Sequence, residues 1–378
     1  MCALVLALIG VGVLGASPIT AQDRSGAPRT PDRPNIVFVF IDDLGYGDLG
    51  IYRPEDRPGP ETPHLDELAR GGLRFTQFYV SSPICSPSRV GITTGQYPQR
   101  HRVYGHLASR VDNRERGMVD YLDPEVVTIA RQLKKAGYAT GHFGKWHMGG
   151  GRDVRAPHPQ AYGFDESVVS FEGMGERLLD EESSLADQSA ELGEGPIHRV
   201  PKHEKTEIYV DRAIEFAEAH RDQPFYIQLW PNDVHDPFKP SKEQLRAVAD
   251  LDLEGFTNES QWRKFFAVLK ELDEQVGRMV DALDRLGLRE ETILVVTGDN
   301  GPTAWSRYYE NGKGEGAAPG YTGGLRGRKW SLYEAGIRQP LILNAPGRIP
   351  SGTINRETVV AGGSTRRSAT SASPRRAS

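Results

Sequence analysis

A chain of 378 residues with a formal charge of −5 lacks the basic excess of a nucleic-acid binder. It is long enough for one large α/β domain, alone or with a small appendage. Charged residues at 26% and hydrophobic ones at 38% are ordinary for a globular protein, so attraction of an anionic ligand must be local.

Residues 3–14 are apolar and are followed by small residues, the pattern of a secretory signal and its cleavage zone, too short for a comfortable membrane span. No Lys or Arg precedes the apolar run. Residues 1–22 are expected to leave the mature chain and take Cys2 with them, so Cys85 has no disulfide partner. An exported protein without stable membrane insertion is the expectation. Residues 23–34 are a polar, Pro-rich linker.

Residues 35–41 are a continuous apolar, β-branched run, as in a strand buried on both faces, and they stop at Asp42-Asp43. Thr62 caps a helix with Pro63 at its first position, and Gly71 ends it. Residues 75–80 read as a strand that delivers Ser82-Pro83-Ile84-Cys85-Ser86-Pro87-Ser88-Arg89. A helix can open at Val90, so its free N–H groups and dipole would favour an anionic form of the loop cysteine. A lone cysteine is more often a small buried residue.

Asp123 is expected to cap a helix whose Val126, Ile129, Ala130 and Leu133 share a face, with Gly137 closing it. Residues 138–144 form a short strand ending at Lys145-Trp146-His147, and residues 152–201 read as surface loops. A helix over 207–220 and a buried strand over 224–230 lead into Asn232-Asp233-Val234-His235. Phe265, Leu269, Leu272, Val276, Met279, Leu283 and Leu286 recur at helical spacing as a core face. A buried strand over 292–297 ends in Gly298-Asp299-Asn300-Gly301.

Residues 35–361 are therefore expected to form one folded domain. Residues 341–346 look like core strand and 358–361 like an approach to more core, whereas 362–378 hold four arginines and no large apolar residue. That basic tail reads as disordered, or as the mark of a truncation or frameshift.

Alternating strands and helices imply an α/β fold, a mostly parallel sheet covered on both sides. Ligands of such sheets bind beyond the carboxyl ends of the strands. Asp42-Asp43, Lys145 and His147, His235, and Asp299-Asn300 each follow a strand directly, so they converge on one edge. Three carboxylates and an amide oxygen suit a hard cation such as calcium or magnesium. Arg89, Lys145, His147, His235 and Lys329 add cationic and proton-transferring groups, the equipment for transfer of a tetrahedral oxyanion.

The stretches Ile41-Asp42-Asp43-Leu44-Gly45-Tyr46-Gly47-Asp48, Cys85-Ser86-Pro87-Ser88-Arg89, Gly144-Lys145-Trp146-His147, Gly298-Asp299-Asn300-Gly301 and Gly324-Leu325-Arg326-Gly327-Arg328-Lys329 together resemble type I sulfatases of the alkaline phosphatase superfamily. The resemblance covers residues 35–347. It implies an alkaline phosphatase-like fold, Cys85 converted by a maturation enzyme to formylglycine, and one calcium ion, magnesium being less suited, on Asp42, Asp43, modified Cys85, Asp299 and Asn300. It also implies that Arg89 orients the nucleophile, Lys145 and Lys329 bind sulfate oxygens, His235 protonates the leaving alcohol, and His147 deprotonates the second hydroxyl of the hydrate.

The Trp230 to His235 stretch and the secretory start resemble exported sulfatases acting on polysaccharide or glycosaminoglycan-type sugars. Tyr104, His106 and Arg110, and then Arg152, Arg155 and His158, are candidates to line the sugar pocket. Members of the family continue into a smaller C-terminal subdomain, which this sequence is expected to lack. A phosphodiesterase or phosphonate monoester hydrolase of the same superfamily is the alternative, and an inactive carbohydrate-binding remnant a second.

Overall fold

A computed structural model describes residues 33–182, 184–192, 194–305 and 318–362. The expected signal segment, nearly all of the linker, and all but the first residue of the basic tail lie outside these residues.

In chain order the elements that matter are β1 (Asn35–Ile41), α1 (Pro63–Arg70), β2 (Leu73–Tyr79), α2 (Cys85–Thr94), α3 (Ile129–Lys135), β3 (Ala139–Lys145), β4 (Glu166–Ser170) and β5 (Arg177–Asp180). They continue with β6 (Ile197–Val200), α4 (Lys205–Ala219), β7 (Phe225–Trp230), α5 (Glu259–Arg285), β8 (Thr292–Gly298), β9 (Arg338–Asn344), β10 (Thr353–Asn355) and β11 (Val359–Val360). The strands form one sheet in the order β10-β2-β9-β8-β1-β7-β3-β4-β5-β6, with β11 also on β2. Among the described strands only β9 runs against its neighbours β2 and β8.

The period of two in a strand explains why β1 is apolar throughout. Val37, Val39 and Ile41 enter the core on one face, with α1, α4 and α5, while Ile36, Phe38 and Phe40 enter the core on the other, with α2 and α3. Both faces are covered, so no position on β1 faces water. Along α5, Phe265, Leu269, Leu272, Val276, Met279 and Leu283 are buried, as their spacing predicts, whereas Leu286 is only partly so. Truncating one of the buried set to Ala would cost about 2–5 kcal/mol. Thr62 precedes α1 with Pro63 at its start, but its hydroxyl caps no helix N–H. Asp273 on α5 does that instead, accepting from the N–H groups of His64 and Leu65 at 3.2 and 2.8 Å.

Three local expectations are corrected. The stretch 152–201 is not all loop, because β4, β5 and β6 extend the parallel sheet there. The helix expected from Asp123 begins at Ile129, capped by the Thr128 hydroxyl on the N–H of Arg131 at 3.1 Å; Asp123 instead accepts from the N–H of Glu125 in a turn. Cys85 is not in a loop before a helix but is the first residue of α2.

Candidate metal and nucleophile site

The four central strands β8-β1-β7-β3 lie side by side and parallel, so their carboxyl ends deliver their following residues to one place. Backbone bonds lock the exits together. Asp42 N–H donates to Asp233 O at 3.2 Å, Val234 N–H to Asp42 O at 3.0 Å, and Asp299 N–H to Ile41 O at 3.0 Å.

β2 runs in the same direction as these strands, being antiparallel to β9 as β8 is, and the loop after it delivers α2 with Cys85 at its start and Arg89 one turn later, a spacing that puts both on one helix face. The Cys85 sulfur lies 3.6 Å from Asp42 Oδ1 and 3.8 Å from Asp43 Oδ1. Burial pushes its thiol up to about 12. This runs against the expectation of a favoured thiolate: burial outweighs the Lys145 and Lys329 ammonium groups, which lower the thiol, and Asp299 and Asp42 add to the rise.

Arg89 is fully buried. Its Nε and Nη2 donate to Asp299 Oδ2 at 3.1 and 2.8 Å, Nη1 donates to the Lys145 carbonyl at 2.9 Å, and Asp42 Oδ1 is 3.3 Å from Nη2. Lys145 Nζ donates to both oxygens of Asp42 at 2.9 and 2.7 Å. Burial alone would raise Asp42, yet the cations around it, Lys145 first and then Arg89 and Lys329, outweigh it and hold the carboxyl well below its usual value. Lys329 Nζ treats Asp43 in the same way, at 2.7 and 2.8 Å.

Lys329 also donates to His235 Nε2 at 3.0 Å, and His235 Nδ1 donates to the carbonyl of Asp236 at 2.5 Å. Both ring nitrogens are thereby assigned. His235 is neutral, and burial pushes it down to about 3. His147 Nε2 donates to the Leu107 carbonyl at 3.3 Å, while its Nδ1 is buried without a partner. Burial, with Lys145 beside it, holds this ring neutral too.

The residues fit a hard cation. One donor atom from each of Asp42, Asp43, Cys85 and His235 lies within 4.8 Å of all the others, Asp299 Oδ1 is bonded to the Asp43 N–H at 3.0 Å, and Asn300 Oδ1 is buried without a hydrogen-bond partner. Asn300 turns its amide nitrogen to Asp43 Oδ1 at 2.7 Å. A buried carbonyl oxygen with nothing to accept from is costly, and a cation beside the three carboxylates would satisfy it. Asp42, Asp43 and Asp299 are matched by Arg89, Lys145 and Lys329, so a divalent ion would leave the site positive and ready for an anion.

The structure thus brings Asp42, Asp43, Cys85, Arg89, Lys145, His235, Asp299, Asn300 and Lys329 into direct contact, with His147 adjoining. A cavity of about 380 Å³ opens from Asp42, Lys145 and His235 and is lined further by Arg152, Phe171, Glu172, Asp180, Lys202 and Lys205 among others. Of the sugar-pocket candidates only Arg152 lines it. Tyr104 and Arg110 are exposed outside it, His106 is pushed down by partial burial and by Arg116, with smaller effects of Arg152 and Lys329, and Arg155 and His158 pair with Glu194 instead.

Glu172, Lys202 and Lys205 were not visible in the sequence as site residues. Glu172 sits in the stretch taken for loops, and nothing local marks a lysine for burial. Phe171 and Glu172 have φ of 50° and 57°, and the facing His147 and Arg152 have 51° and 48°. Left-handed backbone at four neighbouring non-glycine residues, three of which line the cavity, is costly and gathers at functional sites.

The chain matches the family model described as Sulfatase over residues 34–365. It is 30% identical to the N-acetylgalactosamine-6-O-sulfatase of Bacteroides thetaiotaomicron, over 90% of this chain and 73% of that protein. It is 33% identical to arylsulfatase A of Homo sapiens, over 84% of this chain and 60% of that protein. Among solved structures, Ps i-CgsB in complex with k-i-k-neocarrahexaose is similar with a TM-score of 0.68 at 25% identity, over 87% of this chain and 69% of that one.

Proposed function

Since the chain belongs to the sulfatase family of the alkaline phosphatase superfamily, we propose that it hydrolyses sulfate esters of sugars, in polysaccharide or glycosaminoglycan-type substrates. The observation that carries this reading is the contact of Cys85 with Asp42 and Asp43 inside a ring of Arg89, Lys145, His235 and Lys329. The named activities of the relatives support the substrate class.

Asp42, Asp43, Asp299, Asn300 and the modified Cys85 would hold a calcium ion, which would supply positive charge to the sulfate oxygens and the nucleophile. Oxidised to formylglycine by a maturation enzyme, Cys85 would present an aldehyde hydrate, one hydroxyl of which attacks sulfur. Arg89, locked on Asp299, keeps α2 and Cys85 against the strand ends. Lys145 and Lys329, which neutralise Asp42 and Asp43 here, bind the sulfate oxygens once those carboxylates have another cation.

With the Nδ1 hydrogen directed at the Asp236 carbonyl, Nε2 of a neutral His235 can only accept from the Lys329 ammonium. The pair, rather than His235 alone, therefore supplies the proton to the departing alcohol. His147 has its Nδ1 lone pair free and takes the proton of the second hydroxyl, so that sulfate is expelled and the aldehyde re-forms. No helix among the described residues is long and apolar enough to cross a membrane. An exported location, calcium rather than magnesium, and the maturation partner belong to this same reading.

The deciding test is sulfate release from a panel of sulfated saccharides, with an aryl sulfate and an aryl phosphate diester in parallel and Cys85→Ala as control. Mass spectrometry of the Cys85 peptide, after expression with a maturation enzyme, reports conversion. Turnover of the diester without turnover of any sulfate would replace this reading with the phosphodiesterase one, and an unconverted thiol would favour a non-catalytic remnant.

A further inference from the structure

Away from the catalytic cluster, the cavity runs between the end of β5 and the first turn of α4, where Asp180, Glu182, Lys202, Lys205 and Lys239 line it. Lys239 is matched by carboxylates, 2.8 Å from Glu182 and 3.7 Å from Asp180. Lys202 Nζ donates to the carbonyls of His235 and Pro237, at 2.5 and 2.8 Å. Lys205 has no such arrangement. It is 7% exposed, and it makes no hydrogen bond or ion pair among the described residues.

Its place makes this more unusual. Lys205 is the first residue of the 15-residue α4, the end at which the helix dipole is positive and a cation is disfavoured. Burying a charge is costly unless it is paired, and burial pushes this amine down to about 8. Neighbouring Thr206 is held by Asp233, so the turn does not need the lysine for its own closure. Elsewhere in the lining Lys145 pairs with Asp42, Arg152 adjoins Glu172 and Lys239 pairs with Glu182, and the carboxylates of Asp180 and Asp236 also face the cavity. Asp180 and Asp233 attract Lys205 through space, yet no carboxylate forms an ion pair with it among the described residues, so its N–H donors remain open to a group entering the cavity.

We propose that Lys205, with Lys202 beside it, forms a second anion-binding subsite, which takes another acidic group of the substrate while the scissile sulfate occupies the Lys145 and Lys329 end. The second group is a carboxylate or another sulfate. The inference rests on the sulfate-ester reading and narrows its substrates to sugars carrying at least two acids. A cavity of about 380 Å³ is within the usual range of roughly 300–1,000 Å³ for a small-molecule site.

The matured enzyme and its Lys205→Met and Lys205→Arg variants are compared on four substrates: an aryl sulfate, a neutral monosaccharide monosulfate, the same sugar joined to a uronic acid, and a disulfated sugar. Relative to the monosulfate, kcat/KM on a two-acid substrate is expected to fall about ten- to a hundredfold in Lys205→Met, mainly through KM, with Arg restoring much of it. Whichever two-acid substrate loses most identifies carboxylate or sulfate as the partner.

Equal loss on all four substrates, or none on any, overturns the subsite. Failure of the wild type on all four instead overturns the sulfate-ester reading. If Lys205→Met does not fold, inhibition of wild-type aryl sulfate turnover decides the matter. A free uronate or a sulfated sugar product should inhibit at least tenfold more strongly than the neutral sugar, and equal inhibition overturns the proposal.

Discussion

Arg89 grips a single oxygen of Asp299 with two nitrogens, at 3.1 and 2.8 Å, in a pair with no solvent exposure. With its third nitrogen on the Lys145 carbonyl, it ties α2 to the ends of β3 and β8. Replacing Arg89 with Met leaves Asp299 buried and uncompensated, a loss of about 3–5 kcal/mol. Urea unfolding should show it as a lower midpoint at unchanged slope. Arg89→Lys recovers little, since an ammonium cannot span both contacts. An unaltered midpoint in Arg89→Met would mean that the pair contributes nothing to holding the site.

Calcium should stabilise the chain independently of any turnover. At about a hundred times its dissociation constant, an ion that binds only the folded state adds about 2.7 kcal/mol. Thermal melts with and without a chelator should therefore differ, and the difference should vanish in Asp42→Asn and Asp43→Asn. Because Asn300 Oδ1 has no other partner, Asn300→Leu should also lose the shift while remaining folded. A wild-type Tm indifferent to calcium and magnesium alike would argue against the ligand set.

Glu172 gives a pH signature. Its carboxyl is buried, near Arg152 at 2.9 Å and His147 at 3.7 Å, and burial raises it from 4.5 to about 8. The folded chain keeps a proton that the unfolded chain releases near 4.5. The contribution of this group is therefore most favourable below that value, and it declines as pH rises toward 8 by at most about 1.4 kcal/mol per pH unit. Glu172→Gln mimics the protonated form, so its stability relative to wild type should increase across that window. A constant difference would show that Glu172 is ionised throughout, as an ordinary partner of Arg152.

The central strands and the convergence of their ends were legible because they rest on periodicity: β1 has to be apolar throughout if both faces are covered, and a polar residue directly after such a strand can only sit at its edge. The lateral part of the sheet gave no such signal. β4, β5 and β6 are five, four and four residues long, and their Arg177, Asp180, His198 and Arg199 break any alternation. Arg177 is nonetheless buried, donating to Ser189 and to the Glu194 carbonyl. The Asp123 turn and a true N-cap both use a side-chain oxygen as acceptor, so the start of α3 lies five residues beyond the place expected, with Thr128 as its cap. The lysines of the cavity are hidden for a different reason, since tertiary packing alone decides that Lys205 is buried without a direct ion pair.

Gly301 closes the Gly298 to Gly301 turn where no side chain fits. A Cβ there would stand 1.8 Å from the Ala335 carbonyl oxygen, while the Gly301 N–H donates to Gly336 O at 3.0 Å. Gly301→Ala must push the two segments apart, at about 1–3 kcal/mol, and shift Asn300 with them. Both a lower Tm and a weakened calcium response are expected. A normal calcium response at reduced Tm would show that the turn serves folding without setting the position of Asn300.

The Lys329–His235 contact, with Nζ donating to Nε2 at 3.0 Å, makes a prediction that depends on the leaving group. A positioned acid contributes about 10²–10⁴ in rate when the departing oxygen is strongly basic, as in a sugar alcohol, and little when it is a nitrophenolate. His235→Ala should therefore lower kcat by about two to four orders of magnitude on a sulfated sugar and far less on nitrophenyl sulfate. Lys329→Ala should lose activity on both, because Lys329 also neutralises Asp43 through two hydrogen bonds, but the sugar should still suffer more. Parallel losses on the two substrates in both variants would remove the pair from the proton-transfer step and leave Lys329 as a ligand of the sulfate alone.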